Sequence, residues 1–274
     1  MPDSAAMLIA VAPNGARRNK ADHPALPISP AELALTARKC LDAGAAMMHL
    51  HVRDPLGKHS IASEYYRPAI DAIRSATGTD MLIQVTSEAA GVYNRHQQMA
   101  AILELMPDSV SIALRELVPD ADAEEQAHGF FKRLDEAGAL IQYILYSPED
   151  VMHYQRLCAS GVIPGQRHFL LFVLGRYSQT LAQVEELDQF VSSHNGQANW
   201  MCCAFGKHEQ AIMLRAAQLG GHARVGFENN LQLPDGSLAD DNCALVKQVA
   251  ENALKAGRTL ASAQQGQQLY LHGT

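Results

Sequence analysis

The sequence predicts a (β/α)8 TIM barrel, because short apolar runs alternate with longer segments of helical character along the chain. The runs have the length of strands and are apolar on both faces, which is typical of a parallel sheet covered by helices. Eight such runs occur, at residues 7–12, 45–52, 81–86, 109–114, 139–146, 168–174, 199–205 and 223–227. Eight strand–helix units in 274 residues fit one barrel of ordinary size.

Helix-capping residues follow the first and fifth runs. Ser29 is placed to cap a helix that has Pro30 at its first position, and Glu32 completes a capping box. Gly44 can end this helix with a positive φ angle. The segment 147–150, Ser-Pro-Glu-Asp, repeats the arrangement. These signals predict helices where a barrel requires them.

A doubly wound open sheet is the alternative architecture. Its usual phosphate-binding signal, G-x-G-x-x-G after the first strand, is absent, since only Gly15 occurs there. No Pro- or Ser-rich linker divides the chain. We therefore expect residues 1–274 to form a single barrel domain.

Composition narrows the class of function. The formal charge is −7 with scattered basic residues, which argues against nucleic acid and favours a small-molecule ligand. No run approaches the roughly 18 apolar residues of a membrane span, and no secretory core is evident. The cysteines form no C-x-x-C pair and are expected to be reduced; they are Cys40, Cys158, Cys202, Cys203 and Cys243. We therefore expect a cytoplasmic protein.

Two histidines end the second apolar run. His49 and His51 share one face of a strand, with α-carbons about 6.6 Å apart. From that separation two imidazoles can bind one cation at about 2.0–2.1 Å. In a parallel barrel the carboxyl ends of the strands carry the active site, although a strand-end histidine can also simply bind backbone.

Glu228 is the candidate third ligand, because it follows the eighth strand, which closes the barrel beside the first. Two histidines and one carboxylate leave positions open for water or substrate, as in catalytic metal sites. Zinc is the expected ion, and nonheme iron fits the same ligands. Five arginines near strand ends suggest an anionic ligand: Arg17, Arg18, Arg115, Arg176 and Arg224.

Three segments together resemble the β-keto acid cleavage enzymes. They are "RRNKADHPALPISPAE" after the first strand, "HLHVRD" at the second and "GGHARVGFENN" at the eighth, in matching order and spacing over essentially the whole chain. The resemblance implies a zinc-dependent barrel that exchanges acyl groups between a β-keto acid and acetyl-CoA, giving a new acyl-CoA and acetoacetate. It also implies a homotetramer.

By this resemblance His49, His51 and Glu228 correspond to the zinc ligands. Thr86 corresponds to an active-site hydroxyl residue and Arg224 to the active-site arginine. A metal-bound β-keto acid would be chelated through its keto and carboxylate oxygens, and the ion would stabilise the enolate released on cleavage.

The chain departs from the family pattern at four positions. Asn229 replaces an acidic residue and can hydrogen-bond but cannot act as a base. Glu88 stands in place of glycine, Glu116 lies in an altered loop, and Arg17 replaces an amine-binding glutamate. We expect Asn229 to act in the catalytic site. We expect the substrate to be bound by Arg17, Ser87, Glu88 and Glu116, and its far end to be anionic rather than an amine.

Two other interpretations remain open on the sequence alone. One keeps the metal and omits CoA, giving a hydrolase or decarboxylase of an anionic keto acid. The other is a barrel that binds a metal or ligand without turnover, suggested by the missing acid at Asn229.

Overall fold

The computed structural model describes residues 6–176 and 181–271. Within them, eight parallel strands form a closed barrel, so the predicted (β/α)8 fold is confirmed and an open sheet is excluded. The strands are β1 Ile9–Val11, β2 Met47–Leu50, β3 Leu82–Thr86, β4 Ser109–Ala113, β5 Leu140–Leu145, β6 His168–Leu174, β7 Asn199–Ala204 and β8 His222–Val225. No helix in these residues is long and apolar enough to cross a membrane.

Helices connect successive strands. They are α1 Pro30–Asp42, α2 Ser63–Thr77, α3 Arg95–Leu105, α4 Leu114–Leu117, α5 Glu124–Glu136, α6 Pro148–Ala159, α7 Val184–Ser193, α8 Glu209–Gln218, α9 Asn242–Lys255 and α10 Ala263–Leu271. A 3-10 turn at Ala121–Ala123 precedes α5. The predicted capping box of Ser29 and Glu32 is present at α1. At α6, Ser147 caps the Asp150 amide, but the Asp150 carboxylate binds the Tyr146 N–H instead of that of Ser147.

Two of the predicted strands are shorter than expected. The run at 45–52 leaves the barrel after Leu50, and Val52–Arg53 pairs antiparallel with His59–Ser60. The run at 7–12 is also divided, since Ala6–Met7 pairs with Thr259–Leu260. Both short pairs lie outside the closed barrel.

Alternation along the strands separates two apolar cores. Val11 and Met48 belong to the core beneath the helices, whereas Ala10 and Met47 belong to the cluster inside the barrel. Because His49 follows this alternation from Met47, its side chain points into the barrel mouth.

Helix α10 packs against the residues that begin the barrel strands. Tyr270 is fully buried there and packs on Phe169 of β6. Its hydroxyl accepts a hydrogen bond from Gln84 Nε2 of β3 at 3.3 Å. Helix α10 is thus linked to a polar side chain inside the barrel.

Gly226 sets the direction of the chain after β8. Its φ angle is 137°, and a Cβ atom there would lie 2.4 Å from the carbonyl oxygen of Ala12. The same carbonyl accepts the N–H of Glu228 at 3.0 Å. Only glycine permits the chain to approach the end of β1 so closely. This approach fixes the position of the Glu228 backbone.

Gly226→Ala should destabilise the fold, because the new methyl group meets backbone and the φ angle is unfavourable. We expect the free energy of unfolding in urea to fall by at least about 2 kcal/mol. Gly236→Ala is the matched control, since Gly236 also has a positive φ but open space around its Cβ position. It should cost about 1 kcal/mol. Equal losses in the two variants would contradict the close approach to Ala12.

Candidate active site

Three donor side chains converge at the barrel mouth. His49 lies in β2, His51 follows that strand, and Glu228 follows β8; their ligand atoms lie within 4.8 Å of one another. The two Nε2 atoms are 3.0 Å apart, and Glu228 Oε2 lies 3.3 Å from that of His51 and 3.6 Å from that of His49. All three side chains are buried. The structure thus brings together the residues predicted as ligands.

Gln84 orients the ring of His49. Its Oε1 lies 2.9 Å from His49 Nδ1, while its Nε2 donates to Gln142 Oε1 and to the Tyr270 hydroxyl. Because the amide nitrogen is committed to two acceptors, Gln84 accepts from His49 Nδ1–H. The lone pair of His49 is therefore on Nε2, directed at the other donors. Such outer hydrogen bonds are typical of histidines that bind metals.

The protonation states of His49 and Glu228 are those of metal ligands. Burial, reinforced by the Arg224 guanidinium, lowers the pKa of His49 well below its usual value. Burial raises the pKa of Glu228, but Arg224 and the two histidines outweigh it and hold that pKa well below normal. A neutral imidazole and a carboxylate are the protonation states of ligands.

The donor atoms fit a divalent ion. Two imidazole nitrogens and a carboxylate oxygen face one another away from water, and a cation between them would bind all three. Nitrogen and carboxylate donors in this number match zinc and nonheme iron sites with open positions.

Arg224 lies beside the donors with part of its guanidinium available. Its Nη2 donates to Glu228 Oε1 at 3.1 Å and to Cys203 Sγ at 3.4 Å. Its Nε and Nη1 are buried and have no hydrogen-bond partner in the part of the chain described. Burial alone would lower the pKa of Arg224, but the nearby Cys203 and Glu228 raise it by more. The net shift is upward, and the guanidinium stays charged. These two N–H groups are suited to an anion.

One cavity of about 400 Å³ joins most of the predicted site residues. It is lined by His49 and Glu228 at one side, and also by Arg17, Thr86, Glu88, Glu116 and Arg224. Tyr146 and Arg176 line it as well. The cavity therefore runs across the barrel mouth from the donor atoms to the ends of β4 and β5.

Two predicted residues are directed elsewhere. Ser87 does not line the cavity, and its hydroxyl donates to the carbonyl of Ser111. Asn229 lines a neighbouring cavity of about 310 Å³, which shares Arg176 and Phe205 with the first. Its amide is buried, and neither its oxygen nor its nitrogen has a partner among residues 6–176 and 181–271.

The strand-end arginines are less available than their number suggested. Arg176 donates to the carbonyls of Val173, Gly175 and Tyr146. Arg115 pairs with Asp150 at 2.6 Å and does not line the cavity. Arg17 lines it from an exposed position. Arg17, Arg176 and Arg224 therefore all bring positive charge to the cavity, and Arg224 is the one bonded to Glu228.

Acidic side chains are also part of the cavity wall. Glu88 Oε2 lies 3.7 Å from His51 Nε2. Burial raises the pKa of Glu88 and of Glu116. Among these groups the sequence identified Glu88 and Glu116 and placed Tyr146 at a strand end without a role, but it missed Gln84. The signal for Gln84 was its place two residues before Thr86, on the inward face of an apolar run.

Comparison with known proteins agrees with the motifs. The model of the beta-keto acid cleavage enzyme family matches residues 6–271. A 3-keto-5-aminohexanoate cleavage enzyme of Fusobacterium nucleatum is 30% identical over 96% of this chain and 97% of its own length. A 3-oxoadipate:acetyl-CoA acetyltransferase of Cupriavidus necator is 26% identical over 96% and 93%.

Among solved structures, the binary complex of ObcA with oxaloacetate has the same fold. Its TM-score is 0.74 at 16% identity, covering 92% of this chain and 68% of ObcA. With the family model spanning nearly the whole sequence, the resemblance seen in the motifs is confirmed: this chain belongs to the beta-keto acid cleavage enzyme family.

Proposed function

We propose that the protein is a zinc-dependent enzyme that cleaves a β-keto acid with acetyl-CoA. The reaction is R–CO–CH2–COO⁻ plus acetyl-CoA giving R–CO–CoA plus acetoacetate. The observation that carries the proposal is the convergence of His49, His51 and Glu228 beside a buried arginine that has two unused N–H groups. The name of the Cupriavidus necator relative, with its keto acid and acetyl-CoA, supports the same reaction class.

His49, His51 and Glu228 would hold the ion, and Gln84 would keep His49 turned towards it. A bound ion would supply a Lewis acid that stabilises the negative charge of the enolate released as the carbon–carbon bond breaks. Because all three side chains are buried, water around the reacting group is limited to what the cavity admits.

Arg224 and Thr86 would orient the keto acid. The Nε and Nη1 of Arg224 lie on different edges of the guanidinium, so each can donate a hydrogen bond to a separate substrate oxygen. Thr86 Oγ1 accepts the N–H of Glu88 at 3.1 Å, which leaves its own proton for a substrate oxygen. Glu88 lines the same cavity close to His51, where it would limit the space for the substrate.

Asn229 would bind the second substrate. An unpartnered amide in the neighbouring cavity offers one donor and one acceptor to the amide groups of the CoA arm. Since the two cavities meet at Arg176 and Phe205, a thioester held there could reach the keto acid.

Purified protein should contain one equivalent of zinc or another divalent metal. His49→Ala should weaken zinc affinity by at least about 100-fold, because it removes a ligand rather than an outer hydrogen bond. Metal analysis after dialysis measures this, with circular dichroism as a check on folding. His128→Ala is the control, since His128 is exposed on α5. Wild-type protein that holds no divalent metal would contradict the proposal.

Arg224→Lys should lower kcat/KM for β-keto acids by roughly 10² to 10³-fold, since lysine keeps the charge but loses the fork of donors. The assay supplies a panel of β-keto acids and acetyl-CoA and follows acetoacetate and acyl-CoA. Turnover that proceeds equally well without acetyl-CoA would instead favour a CoA-independent hydrolase or decarboxylase.

Asn229→Leu should raise KM for acetyl-CoA by about 10-fold, as expected for the loss of hydrogen bonds to a ligand. Stability in urea should stay equal or rise, because a buried amide without partners is removed. Asn195→Leu, at an exposed position, is the matched control. An effect confined to the keto acid would place Asn229 at the other substrate.

A further inference from the structure

The wall of the cavity across from Glu228 is formed at the ends of β4 and β5. Around the closed barrel the order is β7, β8, β1, β2, β3, β4, β5, β6. Strands β4 and β5 therefore lie across the mouth from β8 and β1. Glu116 and Tyr146 follow these two strands and line the same cavity as Glu228. A ligand bound at the donor atoms would extend its other end towards them.

The ring and the backbone of Tyr146 are fixed by neighbouring residues, whereas its hydroxyl is not. Arg115 and Arg176 lie over its ring, at 4.4 Å and 5.2 Å from the centroid. Its N–H donates to Asp150 Oδ2 at 2.7 Å, and its carbonyl accepts from Arg176. The hydroxyl makes no hydrogen bond within the described residues, and burial raises its pKa. A fixed neutral phenol is thus presented at the wall.

Glu116 is fixed through one oxygen only. Its Oε2 accepts the N–H of Ala89 at 3.1 Å and Gln98 Nε2 at 2.7 Å. Its Oε1 has no hydrogen-bond partner in residues 6–176 and 181–271. Since Gln98 also donates to the carbonyl of Ser87, the whole arrangement is rigid. The free carboxyl oxygen is an acceptor whose position is set before any ligand binds.

Charges of both signs meet at this wall, so the directed hydrogen-bonding groups decide which end group binds. Arg176 keeps its positive charge but donates to three backbone carbonyls, and Arg17 adds positive charge from an exposed position. Glu88 and Glu116 are both inside, and burial already works against their negative charge. A substrate carboxylate has no proton to donate to Glu116 and would place two acceptors beside each other. A donor would instead pair with Glu116 Oε1.

We propose that Glu116 and Tyr146 select β-keto acids whose acyl end carries a hydrogen-bond donor, a hydroxyl or an ammonium group, over those that end in a carboxylate. This inference rests on the proposed function and reverses the expectation of an anionic far end drawn from the arginines. The side chains of Ala113, Ile144 and Val173 line the cavity as well and suit the methylene groups between the two ends of the substrate.

The test compares kcat/KM for β-keto acids of equal chain length that end in methyl, hydroxyl, ammonium or carboxylate. The hydroxyl or ammonium substrate should exceed the carboxylate one by at least about 10-fold. Glu116→Gln and Tyr146→Phe should each reduce this ratio to within about threefold, the latter while keeping the ring between its arginines. Glu149→Gln, exposed at the start of α6, is the control and should leave the ratio unchanged.

Preference for the carboxylate substrate, or ratios unchanged in both variants, would overturn the inference. Binding measurements distinguish failure of this inference from failure of the proposed function. The corresponding 3-hydroxy acids, which cannot be cleaved, are titrated calorimetrically into wild-type protein and both variants. If no keto acid is turned over yet affinity follows the donor order, the cleavage proposal fails and the selectivity stands. If the affinity for the 3-hydroxy acids does not depend on their terminal group, the proposed selectivity is wrong, whether or not the enzyme cleaves keto acids.

Discussion

Pairing of β8 with β1 is the constraint on which the candidate site depends. Arg224 pairs in register with Ala10, and the chain after β8 is bound again through the contact of Glu228 with the Ala12 carbonyl. These bonds bring a carboxylate from residue 228 to histidines near residue 50. Without closure the donors would belong to opposite edges of a sheet. The site is therefore a product of the barrel topology rather than of any local motif.

In this arrangement different strand ends supply the candidate metal donors and the walls of the cavity. The donors come from β2 and β8, whereas the walls that meet the rest of a ligand come largely from the ends of β3, β4 and β5. Glu228 connects the two tasks, because one oxygen faces the histidines and the other binds Arg224. The position of the arginine is thus tied to that of the donors, while Glu116 and Tyr146 can vary independently of them.

Patterns of period two allowed the sequence to predict the barrel and much of the site. The H-x-H spacing placed His49 and His51 on one face, and the closure rule placed Glu228 beside them. The same alternation could have shown that Ser87 faces away once Thr86 faces inward. What could not be predicted is tertiary: that Arg176 is bound by backbone carbonyls, that Asn229 lines a second cavity, and that Gln84 reaches His49. These contacts depend on the positions of strands far apart in the chain.

The bond between Gln84 and Tyr270 has a consequence for biosynthesis. Gln84 orients His49, and its amide is itself fixed by a residue of α10, which follows every barrel strand in the chain. During translation the histidines leave the ribosome long before Glu228, and Glu228 before α10. A nascent chain would thus carry two histidines with neither their carboxylate nor their orienting partner in place. The donor set and the contact that orients it can therefore form only after the C-terminal helix has been synthesised.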